Sequence, residues 1–98
     1  MVLVADMLTI KKVWFSLGGH ETRVNSVAWL DHNTLVSVSD KIVVYRGEGV
    51  DGADWRIVQV ISENGQQINY LTVMKTPESN YVCTMADDGV LRLYKGSD

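Results

Sequence analysis

The stretch GGHETRVNSVAWLDHNTLVSVSDKIVVYR, residues 18–46, holds three apolar runs divided by short polar turns. Val24, Val27 and Trp29 open the first run. Residues 35–39 alternate Leu-Val-Ser-Val-Ser, and residues 42–45 are dense in β-branched and aromatic side chains. Alternation with a period of two puts successive side chains on opposite faces of a strand. Asp31-His32-Asn33 and Asp40-Lys41 are turn chemistry, because short polar side chains bond nearby backbone and tolerate a reversal.

The same texture runs outward in both directions. IKKVWFSL (10–17) precedes the stretch and WRIVQVI (55–61) follows it, then come runs at 68–75, 81–86 and 90–94. Residues 1–4 form a further short strand or a frayed end. Residues 47–54, Glu63-Asn64-Gly65, residues 76–80 around the single proline, and Asp87-Asp88-Gly89 separate the runs. Nowhere do ten residues sustain the 3.6-residue period of an amphipathic helix. The expected fold class is all-β.

Composition narrows the functional classes. The 98 residues are 46% apolar and 21% charged with a net charge of -3. That is globular composition, and it supplies no basic field to hold nucleic acid or an anionic membrane. One cysteine, Cys83, allows no disulfide within the chain and points to a reducing compartment. MVLVADMLTI at the start is too short to span a bilayer and lacks a basic leader. The expected location is the cytoplasm, with the nucleus as a second compartment.

The pattern occurs twice. Val24, Val27 and Trp29 recur as Ile68, Leu71 and Val73 at an offset of 44; Leu35 and Ser37 recur as Val82 and Thr84 at 47; Tyr45 recurs as Tyr94 at 49. A longer KTPES loop and a longer Asp-Asp-Gly turn account for the drift. A period of about 40–45 residues with four strands per unit is the signature of propeller blades. A small eight-stranded sandwich or barrel is the other reading of this spacing.

The segment GGHETRVNSVAW…LVSVSDKIVVYR resembles a WD repeat of the β-propeller family, with Tyr45-Arg46 where the family has Trp-Asp, and INYLTV…YVCTMADDGVLRLYK resembles the repeat after it. The resemblance covers residues 10–95. It implies two four-stranded antiparallel blades, residues 1–98 forming a two-blade propeller segment. Residues 10–17 would be an outer strand, 18–62 the first repeat, and 63–95 a second repeat lacking its outer strand. A closed propeller needs about 4–8 blades. The resemblance therefore implies a ring completed by oligomerisation or by another chain.

In such blades a His, a Ser or Thr, an Asp and an aromatic form a hydrogen-bonded set across the inner strands. The matching residues are His20, Ser37, Asp40 and Tyr45 in the first repeat and Thr84, Asp88 and Tyr94 in the second. The first repeat's Ser-Asp-Lys turn is at least one residue short. In the second, Asn64 stands four before Ile68, where the first repeat has His20. Loops at one end of the disc would bind protein or peptide partners, with Glu21, Arg23, Lys41, Glu63, Gln66 and Asp87 as the partner-binding face. Acidic residues outnumber basic ones there, which would steer a basic segment.

No constellation points to catalysis. His20 is of a type that ligates metal or acts as a base, but no Cys, Asp or Glu accompanies it at ligand spacing. Cys83 lies in an apolar run and reads as a small core residue. Trp14, Trp29 and Trp55 fall in three strands, which suits packing between blades better than a stacking platform. Asp87-Asp88-Gly89 falls short of a calcium site, and GEGVDGAD (47–54) has no lysine for a phosphate loop. The strands that would line a channel offer Asn25, Ser26, Asn69 and Thr72, with no acid–base pair. The expected function is a non-catalytic interaction scaffold without cofactor or metal. Its partners would be proteins or peptides, with no nucleic acid or membrane, and it would form a head-to-tail homo-oligomer of three or four copies or pair with a complementing chain. The alternative is a fragment of a larger propeller subunit, such as an actin-interacting, coat or cytoskeletal component, on the likeness of RVNSVAWLDHNTLVS (23–37) to blades of actin-interacting propellers.

Overall fold

The computed structural model describes residues 16–48 and 55–96. The expected strands at residues 1–4 and 10–15, Trp14, and most of the 47–54 connection lie outside those residues. Ser16 and Leu17 are described and are not in a strand. The described residues form two antiparallel sheets and no helix.

The first sheet has four strands in sequence order: β1 (Ser26–Asp31), β2 (Thr34–Val38), β3 (Lys41–Arg46) and β4 (Arg56–Ser62). The second has three: β5 (Ile68–Lys75), β6 (Asn80–Ala86) and β7 (Leu91–Lys95). Their bounds differ from the apolar runs by a residue or two, because the ladder continues into polar ends such as Thr34, Lys41 and Arg46. The first turn is tied by Asn33 N–H donating to Asp31 Oδ1 at 3.0 Å, an Asx arrangement. The Thr76–Ser79 turn is closed by three bonds: Thr76 N–H (2.9 Å) and Thr76 Oγ1 (2.8 Å) donate to Ser79 O, and Ser79 N–H donates to Thr76 Oγ1 at 3.1 Å.

The two sheets share one pairing register. Ala28 pairs with Val36 in the first sheet, and Thr72 with Cys83 in the second. Leu35 opposite Tyr45 matches Val82 opposite Tyr94, and Val38 opposite Ile42 matches Met85 opposite Leu91. These correspondences follow the offsets of 44, 47 and 49 seen in the sequence. A register slip of one residue would exchange the faces of a whole strand, so the agreement also fixes which face each side chain takes.

Packing follows from those faces. Val36, Val38 and Ile42 of the first sheet meet Ile68, Leu71 and Ala86 of the second in one apolar core. β5 lies against β1 and β2. A polar seam runs beside this core. Ile68 N–H donates to Ser39 O at 2.6 Å, and Asn25 Nδ2 donates to both Gln67 Oε1 and Ile68 O at 2.8 Å. Ile68 is fully buried at this junction. Ile68→Ala should lower unfolding free energy by about 2–5 kcal/mol through lost burial and the cavity left behind. Urea denaturation followed by circular dichroism measures the shift.

Candidate functional site

One face of each sheet carries a hydrogen-bonded polar set at register-equivalent positions. In the first sheet this is the face turned away from the second sheet. His20 Nε2 and Ser37 Oγ are joined at 2.6 Å. Ser37 is buried and His20 half-buried. The Tyr45 hydroxyl donates to Gly18 O at 2.7 Å, from a buried ring. Gly19 makes that approach possible. Its φ of 132° is left-handed territory, and a Cβ there would lie 2.7 Å from the Tyr45 hydroxyl.

Burial holds the His20 pKa below its ordinary value; Asp40 pulls it up and Lys41 pushes it down. Its Nδ1 is buried and meets no hydrogen-bond partner among the described residues. Asp40 acts on the ring through charge alone. Its carboxylate lies 3.5 Å from Lys41 Nζ in a solvent-facing ion pair, so the expected bond to His20 is not made. The two-residue turn at Ser39-Asp40 is too short to bring the carboxylate back over the imidazole. Ser39 itself is buried, and its hydroxyl bonds that of Thr22.

In the second sheet the equivalent place is held by Glu63. It was expected on a partner-binding surface and is instead buried. Thr84 Oγ1 donates to Glu63 Oε2 at 2.7 Å, and the Tyr94 hydroxyl donates to the same oxygen. Arg92 Nη1 stands 3.5 Å from Glu63 Oε1, an ion-pair distance without hydrogen-bond alignment. Burial, with the Glu63 bond second, raises the Tyr94 phenol to about 12. Asn64 and Gly65 both take positive φ, 56° and 71°, and Gln66 N–H donates to Glu63 O at 2.9 Å. Two left-handed residues make the reversal of a type I′ turn, and that adds one residue before Ile68. The imidazole's counterpart is therefore Glu63, five residues before Ile68, not Asn64. A carboxyl group paired with the next sheet's hydroxyls was the missed signal.

Asp88 does not join this set either. It is exposed, caps its own turn by accepting from Val90 N–H at 3.1 Å, and pairs with Arg92 Nη2 at 2.8 Å. The Arg92 hydrogen bond, with Val90 N–H second, keeps the Asp88 carboxyl below the usual range.

The proposed partner face lies at one end of both sheets, formed by the chain before β1, the β2–β3 turn, the β4–β5 link and the β6–β7 turn. Glu21, Arg23 and Asp87 are exposed there, and Lys41 and Gln66 half-exposed. Asp87 accepts from Asn69 Nδ2 at 2.6 Å. With Glu63 buried, Lys41 on Asp40 and Arg92 on Asp88, Glu21 and Asp87 remain as acidic groups without a cation among the described residues. Beside His20 and Tyr45, a groove of about 440 Å³ is lined by Val24, Val27, Trp29, Leu35 and Trp55. Trp29 and Trp55 meet edge to face, centroids 5.8 Å apart at 74°. Cys83 is half-buried on the second sheet's outer face. No group of three potential metal ligands occurs among the described residues.

Two outcomes follow. Glu63→Ala leaves the Thr84 and Tyr94 hydroxyls unpaired and should cost about 1–3 kcal/mol in a urea titration. Glu63→Gln, which keeps an acceptor, should cost less. For His20, the unfolded imidazole protonates around 6.5 and the folded one only at lower pH. In that window the unfolded chain binds more protons, so stability should fall as pH drops below 6.5. His20→Asn should flatten the fall; equal pH profiles for parent and variant would exclude His20 as its source.

No family model, curated protein or solved structure matches the chain.

Proposed function

We propose that this chain is a pair of WD-repeat-like propeller blades serving as a non-catalytic scaffold for protein or peptide segments. The observation that carries the blade reading is apolar surface on both outer faces. A two-sheet sandwich turns polar residues outward along each strand. Here Val27 and Trp29 are exposed on one side, and Tyr70, Met85, Leu91 and Leu93 on the other. Stacked repeats have this character, because each sheet is an inner layer with a neighbour on both faces. The tyrosine-centred sets at Tyr45 and Tyr94 recur at the same register in both sheets, as a repeat requires.

The scaffold role draws on the loop end. Four turns and links converge there, with Glu21 and Asp87 carrying no cation partner among the described residues. His20 and Ser37 are adjacent, but the hydroxyl is buried and, among the described residues, no carboxylate bonds the imidazole. That geometry suits a fixed structural bond better than an acid–base pair. The chain carries no basic field for nucleic acid, with a net charge of -3. Among the described residues no helix is long and apolar enough to cross a membrane.

A fluorescein-labelled lysine/arginine-rich peptide should bind more tightly than an acidic peptide of equal length. The preference should shrink as salt rises from about 0.05 to 0.5 M. Glu21→Lys with Asp87→Lys should weaken that binding about tenfold or more, and fluorescence anisotropy reads both. Equal anisotropy for the two peptides at low salt would end the electrostatic scaffold reading.

A further inference from the structure

Exposed apolar side chains on the outer faces have register-equivalents buried between the two sheets. Leu91 is 66% exposed, while its counterpart Ile42 is 2% exposed. Met85 is 42% exposed where the first sheet has Val38 at 0%. On the opposite side, Val24 and Val27 are 46% and 56% exposed, and their counterparts Ile68 and Leu71 are 0% and 4%. The first sheet therefore shows, on its covered face, how the second sheet's outer face is meant to be covered. The second sheet's covered face shows the same for the first sheet's outer face.

We infer that a second copy of this chain covers these faces head to tail. The outer face of the second sheet in one copy packs on the outer face of the first sheet in the next, repeating the interface already inside the chain. Met85 and Leu91 then enter the groove lined by Val24, Val27 and Trp29, as Val38 and Ile42 meet Ile68 and Leu71. The polar seam supports the same register. Asn25 donates to Ile68 O, and Ile68 N–H donates to Ser39 O. Their counterparts are Asn69 and Ala86 in one copy and Val24 in the next. Asn69 Nδ2, held on Asp87 within the chain, swings to Val24 O of the next copy, and Val24 N–H there donates to Ala86 O.

The two surfaces differ, so the contact is heterologous and propagates until rotation closes it into a ring. With two sheets among the described residues of each copy, three or four copies give six or eight such sheets, within the range of about 4–8 for propellers. The copy number rests on the propeller reading; the pairing rests on register and burial alone.

Sedimentation equilibrium of the 98-residue chain tests the inference. The expected mass is three or four times 10.9 kDa. Leu91→Lys blocks one surface and Val27→Lys the other, so each variant alone should sediment as a folded monomer. Their equimolar mixture should form a one-to-one dimer, because one intact copy of each surface remains. Both side chains are largely exposed, and a cooperative melt by circular dichroism verifies folding; Leu93→Lys replaces Leu91→Lys if that variant fails to melt cooperatively. A monomeric, cooperatively folded parent chain overturns the inference, as does a mixture that stays monomeric or a single variant that keeps the parent's mass. Peptide anisotropy on the same samples reads the loop-end scaffold separately, so either idea can fail alone.

Discussion

The hydrogen bonds from Ile68 N–H to Ser39 O and from Asn25 to Ile68 O set how the two sheets meet. Apolar surfaces attract without direction, and Val36, Val38 and Ile42 would gain nearly as much from a slipped contact with β5. Buried backbone groups do not allow that freedom. An unpaired amide in this junction costs more than a lost methylene contact, so the seam selects one placement from many oily ones. Ser39 is fully buried for this reason and is better placed in a turn than in the strand its neighbours suggest. Everything on the outer faces inherits its position from that choice.

The second feature is how two sheets satisfy one geometric need with different chemistry. The first sheet uses an imidazole on Ser37 and sends its tyrosine hydroxyl to a backbone carbonyl. The second gathers Thr84 and Tyr94 on a single carboxylate oxygen and sets Arg92 beside the other. A carboxylate accepts several donors at once, which suits a site where two hydroxyls converge. An imidazole has one acceptor and one donor and can tie only a simpler set. The pair of solutions explains why the flanking turns differ. Each carries its partner group at a different distance from the first strand of its sheet.

Much of the fold was legible because alternation is a direct record of faces. LVSVS (35–39) and VLRLY (90–94) mark two of the strands to within a residue, and the offsets of 44, 47 and 49 carry the shared register before any coordinates are known. Strand ends were less legible, since Thr34, Lys41 and Arg46 pair in the ladder while looking like turn residues. In the site, His20 and Ser37 stood at recognisable spacing. Glu63 did not, because the left-handed Asn64-Gly65 pair inserts a residue and moves the equivalent position by one. Asp88 looks like a network member from spacing and Asp40 falls about one residue short of it, and each finds a nearer cation, Arg92 or Lys41, at solvent-facing turns. Turn length bears on the competition between a distant buried partner and a local exposed one; counting residues flagged the short turn at Asp40 but not the local ion pair at Asp88.

The β2–β3 turn and the β6–β7 turn are not alike. One is a two-residue reversal carrying an Asp40–Lys41 pair, and the other a longer loop carrying Asp87, Asp88 and Gly89. In an assembly of copies, the loop end would then present two kinds of contact point in strict alternation, each kind once per chain. A partner with a repeated motif could engage several equivalent points together. Its second and third contacts would form at the effective concentration set by its own linker, so weak single contacts could sum to strong retention. A partner with one motif would gain nothing, and the spacing of equivalent loops would act as a ruler for which partners are held.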